Sequence, residues 1–241
     1  MRLRLIASLG EAAQAAEYAG RNAVVIDTLR ATSNMAAALA CGAKEIVPVR
    51  SAEEAQALYR PGDIRGGEWG GRPIPGFELG NSPEEYERPE LAGKRIIMTT
   101  TNGTRAICAA ASASRLLAAS LLNARACAEA AAVEGRDVLL LCSGSRNAFC
   151  LEDGLAAGAV LAELDHLASC EWDDGSRAML GLYQANREHL EEALLGCDSG
   201  VRLVRLGFAA DVRHCARLNL YRAVPCLTPQ GVLVPWTAAP P

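Results

Sequence analysis

An α/β fold built on a mostly parallel or mixed sheet is predicted by three features of this 241-residue chain. Short apolar runs alternate with helix-length amphipathic segments, the order expected of β-α-β units. Four of those runs, at Ala23–Ile26, Ile96–Thr99, Leu116–Ala119 and Val138–Leu141, stop abruptly in small polar residues before a helix begins. Apolar residues make up 50% of the chain and charged residues 22%, which suits one substantial core.

Each element has its own signal. Arg2 to Ala7 alternates like an edge strand, and Glu11 to Ala19 reads as a short helix stopped at Gly20. Ala23 to Ile26 is apolar on both faces, as a buried strand must be, and a helix from about Thr32 to Cys41 ends at Gly42. Glu45 to Val49 is another strand. Ser51 then opens a helix carrying Glu53 and Glu54 in its first turn, where the dipole favours acids.

From Pro61 to Pro83, glycine and proline break every period. Trp69, Ile74, Phe77 and Leu79 supply apolar anchors there, so the stretch reads as an ordered lid or active-site loop. Strands resume at Arg95–Thr99, Arg115–Ala119 and Val138–Leu141, with helices at Gly103–Ala111, Asn123–Val133 and Phe149–Leu164. Beyond Trp172 the pattern is helical to about Leu218, with turns near Gly196 and Gly207. Val224–Leu227 and Val232–Trp236 read as a closing hairpin around Thr228. No linker or internal repeat is visible, so residues 1–241 read as a single domain.

Composition narrows the partners. A net charge of −4, no basic block and 5% aromatic residues argue against nucleic acid and anionic membrane surfaces. No apolar stretch approaches the ~18 residues needed to span a bilayer. Nine scattered cysteines form no C-x-x-C pair and only three histidines are present, which argues against structural zinc and for reduced thiols in a cytoplasm. The start of the sequence lacks the apolar core of a signal peptide. Lys44 and Lys94 are the only lysines, so an anion site would draw on arginine, whose fork pairs with phosphate bidentately.

The polar strand ends carry the chemistry. In parallel sheets such ends share one edge, and the following helices aim backbone N–H groups at it. Asp27, at the end of an apolar strand, is placed to bind a metal or attack phosphorus, with helix capping as the plainer reading. Arg30, Thr32, Ser33 and Asn34 follow with phosphate-binding donors. Leu29 stands where a haloacid-dehalogenase-type phosphatase would carry its second acid, which argues against that mechanism. Thr100, Thr101, Asn102, Gly103, Thr104 and Arg105 form a second donor-rich junction without the glycine–lysine spacing of a P-loop. Glu152 and Asp153, near a helix start, suit the dipole or a magnesium ion, and Glu68 is a further carboxylate beside the suspected edge. No Cys-x5-Arg loop exists, and Cys215 reads as a core residue.

In this order, the motifs Asp27–Thr32, Gly67–Gly71, Gly76–Pro83, Thr99–Arg105, Ser120–Asn123, Leu151–Gly154 and Asp211–Cys215 resemble the 2-phosphosulfolactate phosphatase family from about Val24 to Pro225. The resemblance implies a three-layer α/β/α sandwich and a Mg2+-dependent phosphatase that removes phosphate from 2-phosphosulfolactate, a step of coenzyme M biosynthesis. Two stretches depart from the family pattern. Trp69 stands where a basic residue is expected, and Ser143–Cys150 differs on the approach to Glu152; both bear on the sulfonate end of a substrate.

The expectation is therefore a cytoplasmic phosphomonoester hydrolase with Mg2+ as cofactor and a small phosphorylated substrate as partner, open to homo-oligomer formation. Asp27, Arg30, Asn102 and Arg105 are the candidate catalytic residues. Thr32, Ser33, Asn81, Thr100, Thr101, Gly103, Thr104 and Asn123 are candidate substrate-binding residues, and Asp27, Glu68, Glu152 and Asp153 candidate metal ligands. Metal-activated water is the expected nucleophile, with attack by Asp27 as the second route. The rivals are a non-catalytic binding protein for a phosphorylated or sulfonated metabolite and a same-fold phosphatase for another hydroxy-acid phosphate.

Overall fold

A computed structural model of the chain describes residues 1–11 and 15–237. In chain order its first half comprises β1 (Arg2–Ile6), α1 (Ala15–Tyr18), β2 (Asn22–Ile26), α2 (Ala31–Ala40), β3 (Glu45–Val49), α3 (Ala52–Leu58), β4 (Ile64–Trp69), β5 (Arg72–Pro73), α4 (Pro83–Tyr86) and β6 (Arg95–Thr99). The second half comprises α5 (Gly103–Ala109), β7 (Arg115–Ala119), α6 (Ala124–Ala132), β8 (Val138–Cys142), α7 (Leu151–Leu167), β9 (Glu171–Trp172), α8 (Asp174–Asn186), α9 (Leu190–Gly196), α10 (Asp198–Arg205), α11 (Ala209–Cys215), β10 (Pro225–Leu227) and β11 (Leu233–Pro235). The predicted Glu11–Ala19 helix falls partly on positions outside the described residues; Ala15–Tyr18 is helical.

Among the described residues the strands form one sheet, ordered β5-β4-β6-β3-β11-β10-β7-β2-β8-β1-β9. Its two parallel blocks, β4-β6-β3 and β7-β2-β8-β1-β9, are joined by the β10–β11 hairpin, which runs antiparallel to both neighbours. Helices cover both faces. Val24 and Ile26 of β2 pack on α6 and α7, while Ala23 and Val25 pack on the α2 side, giving the three-layer α/β/α sandwich. Alternate β2 side chains enter opposite cores, so the whole strand is apolar. Farther along the sheet, Ala55 of α3 packs with Val47, Val49 and Ile97.

Three expectations change. The first strand is not an edge: β1 lies between β8 and the two-residue β9. The hairpin does not close the sheet but fills its middle, where Cys226 pairs with Leu117 and Leu233 with Ile46. The glycine-rich stretch is not wholly a loop either, since Ile64–Trp69 runs parallel to β6. Glycine disguised that strand because it gives no side-chain period, yet it is needed there: Gly67 has φ 134°, and a Cβ on it would lie 1.8 Å from the Thr99 carbonyl oxygen.

No helix among the described residues is long and apolar enough to cross a membrane. All nine cysteines are free thiols, and Cys215 is fully buried in the core.

Candidate active site

Asp27 follows β2 at the carboxyl edge of the sheet, where the chain turns into α2. The turn is held locally. The Thr32 hydroxyl accepts from the Asp27 N–H at 3.0 Å and lies 2.8 Å from the Asp27 carbonyl and 2.6 Å from that of Ala119. The Ala31 N–H donates to Asp27 Oδ1 at 3.2 Å, so the carboxylate occupies the start of the helix. Burial is the main reason its carboxyl rises from 3.8 to about 6; the charges of Glu68 and Glu152 add to the rise, and hydrogen bonds from Ala31 and Ser143 oppose it.

A cleft of about 420 Å³ opens at this carboxylate. It gathers Asp27 and Arg30 from the β2–α2 turn, Glu68 from β4, Asn81 from the segment before α4, and Thr100, Thr101, Asn102 and Arg105 from the β6–α5 junction. Glu68 ties two of these walls together, accepting from the Thr101 N–H at 2.7 Å and from the Gly71 N–H. The Gly70 N–H reaches the Thr101 hydroxyl at 3.2 Å. The β4–β5 turn is thus fastened beside the phosphate-friendly loop, with Trp69 left 72% exposed.

Arg30 is buried, and buried arginine must be paired. Its guanidinium pairs with Asp211 and lies 4.5 Å from the Phe208 ring centroid, while the Ser82 hydroxyl donates to the other Asp211 oxygen at 2.8 Å. Asn81 is held in turn by the Asn34 amide, which donates to its side-chain oxygen at 2.6 Å.

Other predicted residues hold backbone beneath this edge and do not line the cleft. Ser33 donates to the Thr28 carbonyl, and Thr104 caps Thr100. Asn123 accepts from Ser120 and donates toward Ala118 and Ala223. Asp153 accepts from the N–H groups of Thr28 and Gly144 and from the Ser143 hydroxyl, joining the ends of β2 and β8 to the first turn of α7. Burial, with Asp27 and Glu152 nearby, pushes its carboxyl well above the usual range. Glu152 lines an adjoining cavity. Gly103 packs so closely that a Cβ would sit 2.5 Å from the Ala31 Cβ and 2.8 Å from Asp27 Oδ2.

Sequence reasoning gave Arg202 and Asp211 no role, and none to Arg146 beyond its place in an unusual loop. Arg146 and Arg202 both line the cleft, so four arginines surround it. The Asp211–Cys215 motif was the available signal for Asp211; Arg202 had none, since an arginine on an amphipathic helix reads as a solvated face.

The donors are oxygen-rich, and a hard divalent cation fits them. Among the described residues no three His, Cys, Asp or Glu side chains form a preformed metal cluster. Magnesium needs fewer, commonly taking one or two carboxylates together with waters and substrate phosphate. Burial is the main cause of the rise of Asp27, but the nearby charges of Glu68 and Glu152 add to it, and a cation would relieve that part.

Comparison with known proteins agrees in one direction. The family model described as 2-phosphosulpholactate phosphatase matches residues 8–230. A protein of Carboxydothermus hydrogenoformans named probable 2-phosphosulfolactate phosphatase is 44% identical over 204 residues, covering 84% of each chain. One of the same name from Symbiobacterium thermophilum is 41% identical, covering 91% of this chain and 97% of its own. Another from Deinococcus radiodurans is 40% identical over 86% of this chain and 88% of its own. With the match running through every segment that builds the cleft, the chain belongs to the 2-phosphosulfolactate phosphatase family.

Proposed function

We propose that this chain hydrolyses a small anionic phosphomonoester, 2-phosphosulfolactate, to sulfolactate and phosphate with Mg2+ as cofactor. One observation carries the reading: the buried Asp27 carboxylate opens into a cleft that also presents arginine and amide donors. A protein that only bound an anion would gain nothing from a desolvated negative charge beside its ligand. A hydrolase uses that charge.

Asp27 and Glu68 would hold the ion, whose chemistry when bound is to neutralise phosphate charge and acidify a coordinated water. Arg30 and Arg105 would bind phosphate oxygens, Arg30 in an orientation set by Asp211. The Asn102 amide and Thr101 hydroxyl would complete the cradle. In a host that makes coenzyme M the reaction would be a step of its biosynthesis, in the cytoplasm.

The test is phosphate release from 2-phosphosulfolactate, with Mg2+ and with EDTA, by the wild type and by Asp27→Asn. Turnover with Mg2+ that is lost in EDTA and in the variant is expected. Tight binding without turnover would favour the binding-protein reading. Single-turnover reaction in isotopically labelled water separates the two nucleophiles: label in the Asp27 carboxylate would mean attack by Asp27.

A further inference from the structure

The cleft has a neighbour. A cavity of about 640 Å³ lies against it, and Ser145, Arg146 and Arg202 line both spaces, forming their shared wall. Apart from Arg146 and Arg202, the charged residues that line the second cavity are the acids Glu152 and Asp198. Positive charge is therefore concentrated at the junction and not deeper in.

Arg146 is placed there at some cost. It occupies the two-residue turn of a small hairpin, with Ser145 and Ala148 exchanging backbone hydrogen bonds of 3.0 and 2.9 Å. Arg146 and Asn147 have φ 53° and 61°, a conformation common for glycine and asparagine but uncommon for arginine. The turn is pinned from below. The Gly144 N–H donates to buried Asp153, a Cβ on Gly144 would lie 2.3 Å from the Ala148 carbonyl oxygen, and the Ser8 hydroxyl donates to the Asn147 carbonyl. Arg202 approaches from another element, α10, and its neighbour Leu203 also lines the cleft. Neither arginine takes part in the ion pairs found among the described residues, whereas Arg30 is paired with Asp211.

We propose that Arg146 and Arg202, with the Ser145 hydroxyl, form a second anion subsite at this junction that receives the sulfonate of a substrate whose phosphate ester lies at Asp27, Asn102 and Arg105. The inference rests on the phosphatase reading above and adds to it the residues that determine specificity. The chain's net charge of −4 makes a cluster of cations on one cleft wall a local feature that general composition does not require. Two separated cationic groups favour a ligand carrying two separated anions over a simple phosphate ester.

The experiment compares 2-phosphosulfolactate with 2-phospholactate, which differs only in lacking the sulfonate, in Arg146→Gln, Arg202→Gln and the charge-keeping Arg146→Lys and Arg202→Lys. Loss of one charge-assisted contact is expected to raise KM for the sulfonated substrate about tenfold or more. The increase for 2-phospholactate should be several times smaller, kcat should change less than KM, and lysine should restore part of the loss. Calorimetric titration of each protein with sulfolactate and with lactate provides the second measurement, and it stands whether or not the wild type turns over. Absence of wild-type turnover would reject the phosphatase reading, while sulfolactate binding weakened selectively in the glutamine variants would still uphold the subsite. Equal losses on both ligands, or no loss on either, in variants that keep the wild-type melting temperature would overturn the proposal.

Discussion

Replacing Asp27 by asparagine should abolish turnover and, in EDTA at pH 7.5, make the protein more stable. The carboxyl titrates near 6 in the native state against an ordinary 3.8, chiefly because it is buried. Each pH unit of that gap is worth about 1.4 kcal/mol, so holding the charged form in the fold costs at most about 3 kcal/mol. Asparagine removes the charge and keeps an oxygen for the Ala31 N–H. For a domain of this size the gain corresponds to a melting temperature up to about 6–12 °C higher.

The sign follows from proton binding. Above pH 6 the native wild type carries a desolvated charge that the unfolded chain carries in water. Near pH 4 and below, the native carboxyl is neutral and the penalty is gone. The advantage of the variant should thus be complete above pH 6 and vanish between 6 and about 4. Thermal melts of both proteins across pH 4–8 in EDTA measure it. A variant that melts at or below the wild type at pH 7.5, or an advantage undiminished at pH 4, would refute the account of Asp27 as a charge held against its solvation preference.

Other perturbations test the surrounding frame. Asp211→Asn strips a buried arginine of its partner and should cost about 3–5 kcal/mol in urea unfolding. Because Arg30 also loses its orientation, KM should rise in whatever fraction stays folded. Gly103→Ala at the first turn of α5 would be mildly stabilising in an unconstrained helix. Here the added methyl collides with Ala31 and Asp27 Oδ2, so kcat should fall about tenfold or more and stability should drop. Millimolar Mg2+ should raise the melting temperature of the wild type but not of Asp27→Asn, since only an ion bound to the native state stabilises it. An equal rise in both would remove Asp27 from the ligand set.

Local information carried much of this protein. Apolar runs ending in polar turns are a property of adjacent residues, so β2, β6, β7 and β8 and the helices after them were legible, as was the placement of Asp27, Thr101, Asn102 and Arg105 at strand ends. The hairpin at Val224–Trp236 was legible as a hairpin, yet its seat between two parallel blocks was not, because strand order depends on pairing across the whole chain. Glycines hid β4, whose role depends on close approach to Thr99 and not on side-chain period. The partner of Arg30 lies 181 residues away, and Arg202 reaches the cleft from a helix that by itself reads as a solvated surface. Burial and charge pairing between distant segments are settled only when the chain packs, and those contacts decide which of many polar residues face the cleft and which merely hold its floor.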